Sequence, residues 1–376
     1  MKKIAFYIES MIVGGAEKVL IDLVNHMDYA KYDVTVIAIF RQSVYDGYSC
    51  QFEKLFDPHV HYVSLIDNGK KWKYRLFNRA CAHLSKSWIY SALVKEQYDI
   101  EVAFYEGLPT EFVAHSTNPH SKKFAWLHTD NTRLHQHKSP EALAATERLY
   151  QVYDMVVGVS NQVVQSFQKF FPNIPTRVVY NVLDTAEIIR KSRECDTTRG
   201  ENTITFLTVG RLIPIKGYLR LLNALASLKK EGFSFRLMMI GEGSQKEEIE
   251  SIIQERGLGQ MVSLQGMQQN PYRYMPMCDY FVCSSFAEGL STVVMEAIIC
   301  ELPVITTDCA GMQDILGNSE CGLICENSDK GIYEALKYVL QHPEERAKMA
   351  ASCATRKQFF KIEERIKDYD RIFLGE

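Results

Sequence analysis

Short apolar runs alternate with amphipathic helical patterns along the whole chain. Strands of a parallel sheet are buried on both faces and therefore read as nearly continuous apolar stretches separated by helices. The alternation predicts an α/β fold with helices on both faces of parallel sheets. In the first half of the chain, strand-length apolar runs lie at 3–9, 33–39, 60–64, 99–104, 123–127, 154–158 and 177–180, with helical patterns at 15–27, 73–96 and 161–170.

The second half of the chain repeats this alternation after a polar stretch, 191–202, that has no apolar periodicity and is the best linker candidate. Its strands are predicted at 204–210, 235–240, 261–265, 279–283 and 303–306, and its helices at 217–230, 244–256 and 292–300. We therefore predict two doubly wound, Rossmann-like domains. Because such sheets bind ligands at the carboxyl ends of their strands, the cleft between the domains is the expected site.

The amino-acid composition is that of an ordinary globular protein and indicates no particular function. The chain has 376 residues, 46% of them apolar, and a net charge of −3, so nothing global indicates a nucleic-acid partner. The apolar N-terminus is interrupted by Glu9, which favours a buried strand over a signal peptide, and no run approaches the ~20 apolar residues of a membrane span. Ten cysteines without a C-x-x-C pair suggest reduced thiols and a cytoplasmic protein.

Glycines open the first predicted helix in "SMIVGGAEKVL". Gly14 and Gly15 would let the backbone pass close to a ligand, and the free amides at a helix start attract anions. The stretch is not G-x-G-x-x-G, and no acidic residue at the end of the second strand is placed to bind a ribose, so we expect no nicotinamide cofactor. We expect no cofactor of another kind either. A plain strand-to-helix turn remains the alternative.

Two cations follow the first strand of the second half, in "TVGRLIPIKGY". Arg211 and Lys216 lie at the carboxyl end of a strand and next to a helix start, which suits a diphosphate whose negative charge they would offset. Gly241, in "IGEGS", ends the next strand and points to the same sheet edge. Taken singly, such residues are usually solvated strand ends.

Two glutamates eight residues apart flank the junction of a buried strand and a buried helix in "FAEGLSTVVMEA". Glu288 precedes the junction and Glu296 lies about one turn into the helix, so they suit the hydroxyls of a sugar and of a ribose, respectively. The macrodipole of the helix could explain one such carboxylate but hardly both.

The backbone between the two glutamates is a predicted anion-binding nest. Ser291 or Thr292 can cap the helix, which leaves the amides of Gly289, Leu290, Ser291 and Thr292 facing outward for phosphate oxygens. A ligand with hydroxyls and phosphates fits this arrangement.

The stretches "VGRLIPIKG", "IGEGS" and "FAEGLSTVVMEAIICELPVITTDCAG" resemble the C-terminal half of retaining glycosyltransferases of family 4, of the bacterial surface-polysaccharide type. The resemblance implies the GT-B fold, with an acceptor-binding domain at 1–185, a nucleotide-sugar domain at 186–357 and a C-terminal helix at 358–376 that returns to the first domain. The family's E-x7-E motif corresponds to Glu288 and Glu296. Members often have E-G-F/Y-G or E-P-F-G after the first glutamate, whereas this chain has E-G-L-S.

The same resemblance implies the other site residues. The diphosphate ligands of the family correspond to Arg211 and Lys216, its N-terminal glycine-rich loop to Gly14 and Gly15, and its histidine near the donor sugar to His128 in "FAWLHTD".

The activity implied by the resemblance is metal-independent transfer of a hexosyl unit, with retention, from a nucleoside-diphosphate sugar, expected to be a UDP-sugar. The acceptor would be a glycan or a polyprenyl-linked glycan in surface polysaccharide synthesis, bound by the first domain. No D-x-D motif lies in the stretches predicted to form the donor site, so no metal is expected. Two alternatives stay open: a nucleotide-sugar 2-epimerase of the same architecture and a non-catalytic nucleotide-sugar-binding protein.

A basic, aromatic and acid-free stretch lies at 68–95. Such a helix can rest on an anionic membrane surface, which would place the protein at the inner face of the cell membrane near a lipid-linked acceptor. The alternative is a packed helix with a solvated basic face. The candidates for membrane or acceptor contact are Lys70, Lys71, Trp72, Lys73 and Arg75.

Overall fold

The computed structural model describes residues 1–11, 14–41, 52–69, 71–195, 203–317 and 320–375. The chain divides into two compact units, Met1–Leu183 with Arg365–Glu376, and Asp184–Glu364. Both units are parallel α/β sheets covered by helices, as the alternation predicts.

The first unit contains a seven-stranded parallel sheet in the order β3-β2-β1-β4-β5-β6-β7. Its strands are β1 (Lys2–Ile8), β2 (Tyr32–Phe40), β3 (His61–Ile66), β4 (Ile100–Ala103), β5 (Lys122–Leu127), β6 (Met155–Gly158) and β7 (Thr176–Val178). Its helices are α1 (Gly15–Asn25), α2 (Lys71–His83), α3 (Lys86–Leu93), α4 (Leu108–Ala114), α5 (Asn131–His135), α6 (Pro140–Tyr150) and α7 (Asn161–Gln168), with a 3₁₀ turn at Phe52–Leu55.

The single helix predicted at 73–96 is wrong, because the structure has two helices there. Ser85 is extended between them, and its hydroxyl accepts a hydrogen bond from the Trp88 amide at 3.2 Å, which starts α3. A serine in this position favours a new helix start over continuation of the old one.

The second unit contains a six-stranded parallel sheet in the order β10-β9-β8-β11-β12-β13. Its strands are β8 (Thr205–Val209), β9 (Arg236–Ile240), β10 (Val262–Leu264), β11 (Tyr280–Cys283), β12 (Val304–Thr307) and β13 (Gly322–Cys325). Its helices are α8 (Thr185–Ser192), α9 (Tyr218–Lys230), α10 (Lys246–Glu255), α11 (Thr292–Ile299), α12 (Met312–Leu316), α13 (Asp329–Gln341) and α14 (Glu345–Arg356). Three 3₁₀ turns lie at Pro214–Lys216, Pro271–Met277 and Lys357–Phe360, and a last helix, α15 (Ile362–Leu374), follows.

The predicted linker at 191–202 is not a linker at its start. Residues 191 and 192 still belong to α8, and the Asn270 amide donates to the Lys191 carbonyl at 3.0 Å and to the Glu194 carboxylate at 2.9 Å. Residues 196–202 lie outside the part of the chain that the structure describes.

The last helix packs on the first unit. Tyr369 stacks on Trp126 of β5, with ring centroids 5.3 Å apart, and Phe373 meets Phe6 of β1 edge to face at 5.9 Å. The Asp370 carboxylate accepts from the Tyr32 hydroxyl at 3.0 Å. These aromatic side chains are buried, so α15 completes the core of the first unit, as the resemblance implies.

Each sheet has one position where the strand order reverses. In the first sheet it lies between β1 and β4, and in the second between β8 and β11. The loops that follow these strands diverge to opposite faces, and the crevice between them is where open α/β sheets bind ligands.

Candidate functional site

The loops after β8 and β11 approach each other closely at the reversal point of the second sheet. Gly217 lies between Lys216 and α9 with φ +67°, and a Cβ there would come within 2.1 Å of the Ser284 carbonyl oxygen. The Ser284 hydroxyl donates to the Lys216 carbonyl at 3.0 Å. The glycine therefore brings the turn that carries Lys216 onto the loop that leads to Glu288.

Lys216 and Glu288, both predicted site residues, are in contact. The ammonium of Lys216 lies 2.8 Å from Glu288 Oε1, and the Ser285 hydroxyl donates to the same oxygen at 2.5 Å. Burial lowers the pKa of Lys216, but the Glu288 carboxylate outweighs this effect and the net shift is upward, so the lysine is charged at neutral pH. Arg211 lies two residues beyond β8 and is exposed.

Arg220 of α9 is a site residue that the sequence analysis missed. Its guanidinium is buried, donates to the carbonyls of Ser284 (2.8 and 2.6 Å) and Ser285 (2.6 Å), and lies 3.8 Å from the ring centroid of Phe286. Burial lowers its pKa from the usual arginine value. Arg220 thus holds the backbone of the loop that presents Glu288. In the sequence, this role is indicated only by the position of Arg220 among leucines of a predicted helix.

Glu296 lies inside α11 and is 4% exposed. The hydroxyl of Tyr272, from the Pro271–Met277 turn, donates to its Oε1 at 3.0 Å. The buried carboxylate is therefore oriented by a neighbouring element.

The predicted hydroxyl cap of α11 is wrong for Ser291. Ser291 occupies the position before the helix, but its side chain makes no capping hydrogen bond, and its buried Oγ has no hydrogen-bond partner among the described residues. Thr292 is the first helical residue and is partly exposed. A buried hydroxyl without a partner is costly unless a ligand or water satisfies it.

The predicted nest is closely packed from one side. Gly289 and Leu290 are buried, and Gly311, with φ +80°, approaches so closely that a Cβ would lie 2.3 Å from the Gly289 carbonyl oxygen. Gly241, directly after β9, abuts Gly210 at the end of β8. The structure therefore places the ends of β8, β9 and β11 at one edge of the sheet, as predicted.

The start of α1 lies next to the side chain of Glu17. Gly14 is the residue before the helix and Gly15 is its first, but a Glu17 carboxylate oxygen lies 2.3 Å from where a Gly14 Cβ would be. A carboxylate at this position is itself stabilised by the helix N-terminus. A phosphate at Gly14–Gly15 would have to displace it.

His128 follows β5 in the first unit, and Glu106, which the sequence analysis missed, fixes the loop that carries it. Glu106 Oε1 accepts from the amides of His128 (2.7 Å) and Thr129 (2.8 Å) and from the Thr129 hydroxyl (2.9 Å). Burial raises the pKa of Glu106, and these hydrogen bonds oppose the shift. Burial lowers the pKa of His128 to about 4, so its ring is neutral at pH 7. The sequence indicates this role only through an acid three residues after a strand, in "FYEG".

The basic, aromatic stretch at 68–95 is only partly exposed to solvent. Lys70 lies outside the described residues, and Lys71 begins α2. Trp72 is 62% exposed, with the Lys73 ammonium 5.8 Å from its ring centroid, and Arg75 is exposed.

Most other aromatic side chains of this stretch pack inward. Tyr74 and Phe77 meet the ring of Phe40 edge to face, and Tyr90 is buried against Tyr7. Trp88, on α3, is 57% exposed. No helix in the described ranges is long and apolar enough to cross a bilayer.

Two family-level sequence models match the chain. The model described as "Glycosyltransferase Family 4" matches residues 13–187, and the model described as "Glycosyl transferases group 1" matches residues 191–355. Together they cover both units of the structure.

Relatives match over the full length. The chain is 27% identical over 100% of both sequences to the N-acetylgalactosamine-N,N'-diacetylbacillosaminyl-diphospho-undecaprenol 4-alpha-N-acetylgalactosaminyltransferase of Campylobacter jejuni. Among solved structures, Anabaena HepE in complex with UDP and glucose superposes with a TM-score of 0.75 at 18% identity, covering 100% of both chains. A mutant of S. aureus TarM in complex with fondaparinux, alpha-GlcNAc-glycerol and UDP gives a TM-score of 0.75 at 13% identity, covering 99% and 100%. These structural likenesses show a shared fold.

Proposed function

The chain belongs to the glycosyltransferases of family 4, which have the GT-B fold, and on that basis we propose that it transfers a hexosyl unit from a UDP-sugar with retention and without a metal ion. The hexosyl unit here includes N-acetylated hexosamines. The observation that carries the proposal is the contact of Lys216 with Glu288 at the reversal point of the second sheet.

The proposed catalytic residues are Arg211, Lys216, Glu288 and His128. Arg211 and Lys216 would offset the charge that develops on the leaving diphosphate, the largest catalytic contribution that side chains of this kind make. Glu288 would hold hydroxyls of the transferred sugar. The leaving phosphate would take the proton of the acceptor hydroxyl on the same face, so the protein supplies orientation and charge.

The donor-binding residues fall into two sets in this proposal. Glu296, oriented by Tyr272, would accept from the ribose hydroxyls, and the buried Ser291 hydroxyl would gain a partner from the donor. The remaining members line the same sheet edge or open α1: Gly14, Gly15, Gly241, Gly289, Leu290 and Thr292.

We infer that the acceptor is a polyprenyl-linked glycan of a surface polysaccharide. The Campylobacter relative, whose name specifies a diphospho-undecaprenol substrate, supports this inference. The exposed Trp72 and the cations beside it would hold the first unit against an anionic membrane, each cation adding about 1 kcal/mol. Replacing Lys70, Lys71, Lys73 and Arg75 with serine should cut co-sedimentation with phosphatidylglycerol vesicles and spare donor hydrolysis. Failure of the wild-type protein to co-sediment with these vesicles at low salt would contradict the membrane role.

Incubation with a panel of UDP-sugars tests the proposed reaction. UDP-glucose, UDP-galactose and their N-acetylated counterparts are offered without acceptor, in EDTA, and products are separated by chromatography. Slow release of UDP and free sugar from one of them is the expected result. An isomeric UDP-sugar would identify a 2-epimerase, and binding without any turnover would identify a non-catalytic protein. Turnover that requires added Mg²⁺ or Mn²⁺ would contradict metal independence.

A further inference from the structure

Glu106 lies at the reversal point of the first sheet and has no role in the proposed function. It follows β4, and β4 pairs directly with β1, where the strand order turns. Its Oε1 holds the amides after β5, so the side chain bridges the ends of two neighbouring strands. This is the position at which an open α/β sheet binds a ligand.

Within the part of the chain that the structure describes, two buried polar atoms at this place have no hydrogen-bond partner. They are the second carboxylate oxygen of Glu106, Oε2, and the Nε2 of His128. Glu106 and His128 are directly linked, since the carboxylate accepts from the His128 amide at 2.7 Å. Buried polar atoms are nearly always satisfied, and two such atoms on linked residues indicate a place where a ligand or water completes the bonding.

Both atoms can accept a hydrogen bond. Burial raises the pKa of Glu106, the three donors on Oε1 oppose that shift, and Oε2 is an acceptor in the ionised form. The His128 ring is neutral and bonds to the Phe104 carbonyl, so its other nitrogen carries a lone pair. A ligand with hydroxyl groups, which can donate as well as accept, suits this pair. Phosphate oxygens offer only further acceptors, whereas sugar hydroxyls can donate to both.

We propose that Glu106 Oε2 accepts a hydrogen bond from a sugar hydroxyl at the reversal point of the first sheet, with His128 Nε2 as the adjacent acceptor. The proposal rests on the proposed function, because it places one of the two sugars of the reaction here. That sugar belongs either to the glycan acceptor or to the UDP-sugar, and the two sources differ in the kinetic constant that Glu106 controls.

Glu106→Gln tests Oε2 with little change elsewhere. Glutamine keeps one carbonyl oxygen for the three donors on the loop, but replaces the accepting Oε2 with a donating amide. Glu111→Gln is the matched control, because Glu111 lies on the following helix, is exposed and pairs with Lys86. Thermal unfolding of both variants confirms that the fold is intact.

The kinetic readouts are the KM for the hydrolysed UDP-sugar and the KM for p-nitrophenyl α-N-acetylgalactosaminide as acceptor. Glu106→Gln should raise one of them about tenfold or more, the scale of one hydrogen bond to a charged group, while Glu111→Gln leaves both unchanged. A rise in the acceptor KM assigns Oε2 to the acceptor sugar, and a rise in the donor KM assigns it to the UDP-sugar. A folded Glu106→Gln variant with wild-type values of both constants would overturn the proposal.

A binding measurement separates this inference from the proposed function. If the wild type turned over no UDP-sugar, the proposed function would fail, but saturation-transfer NMR with methyl α-N-acetylgalactosaminide and methyl α-N-acetylglucosaminide would still report on Glu106. A signal in the wild type and Glu111→Gln that is lost in Glu106→Gln supports the sugar site. No signal in the wild type, or an equal signal in all three proteins, refutes it.

Discussion

The contact between Lys216 and Glu288 gives a prediction that separates a donor site from an ordinary salt bridge. The two side chains pair at 2.8 Å and are 22% and 12% exposed. If Lys216 binds the donor diphosphate, the phosphate competes with Glu288 for the ammonium. We therefore expect Lys216→Met and Glu288→Gln to have different effects on UDP affinity, although both remove the same ion pair.

The magnitudes follow from the contacts. In Lys216→Met, UDP loses a hydrogen bond between charged groups, about 1.5–3 kcal/mol or roughly 10- to 150-fold in Kd, and the unpaired Glu288 carboxylate remains near the phosphates. In Glu288→Gln, Lys216 is released while the glutamine oxygen can still accept from Ser285. UDP affinity should then stay within about threefold of the wild type, and donor turnover should fall ~10²-fold.

Calorimetric titration with UDP measures the first effect, and the rate of UDP-sugar hydrolysis measures the second. Lys337→Met is the control, because it breaks an exposed pair with Glu231 elsewhere on the second unit, 2.6 Å long, and exposed pairs contribute little. The control should bind UDP normally. If Lys216→Met and Glu288→Gln weakened UDP binding equally, the pair would be structural and the diphosphate role of Lys216 would be wrong.

Three further substitutions test the rest of the site. Arg211→Ala should lower kcat for hydrolysis by about 10²-fold. A change below threefold would show that Arg211 is a solvated residue without a catalytic role. Glu296→Ala should weaken UDP binding about tenfold in calorimetry, whereas Glu288→Ala should not; identical titrations would contradict the assignment of ribose and sugar to different glutamates. Arg220→Leu should lower the melting temperature and kcat together, because the carbonyls of Ser284 and Ser285 lose the hydrogen bonds that Arg220 donates. Arg220→Lys should restore both in part, and normal values of both in Arg220→Leu would show that Arg220 does not position the loop.

The parallel sheets were predictable because buried strands leave a simple apolar pattern. The edge strand Gly322–Cys325 was missed, since four partly exposed residues carry too little of that pattern. The division of the predicted helix at Ser85 was also missed, because apolar periodicity continues across it and only the capping residue indicates the break. Such local hydrogen bonds are weakly visible in a hydrophobic pattern.

The site was predictable where residue types are unusual for their place. Two cations at one strand end and two carboxylates at one helix start suggested a polar ligand, and the structure brings Lys216 and Glu288 into contact. Arg220 and Glu106 were not predicted, because their roles depend on backbone groups more than twenty residues away in the chain. An arginine on a helix or a glutamate in a loop is usually solvated, and only the fold shows what each one contacts.

Time-resolved proton NMR of UDP-sugar hydrolysis tests the central claim most directly. The protein is mixed with each α-configured UDP-sugar in EDTA, and the anomeric signals are followed before mutarotation equilibrates the free sugar. Metal-independent retaining transfer predicts that one donor releases UDP and that the α-anomer appears first. A β-anomer appearing first, an isomeric UDP-sugar, or no turnover of any donor would contradict the account.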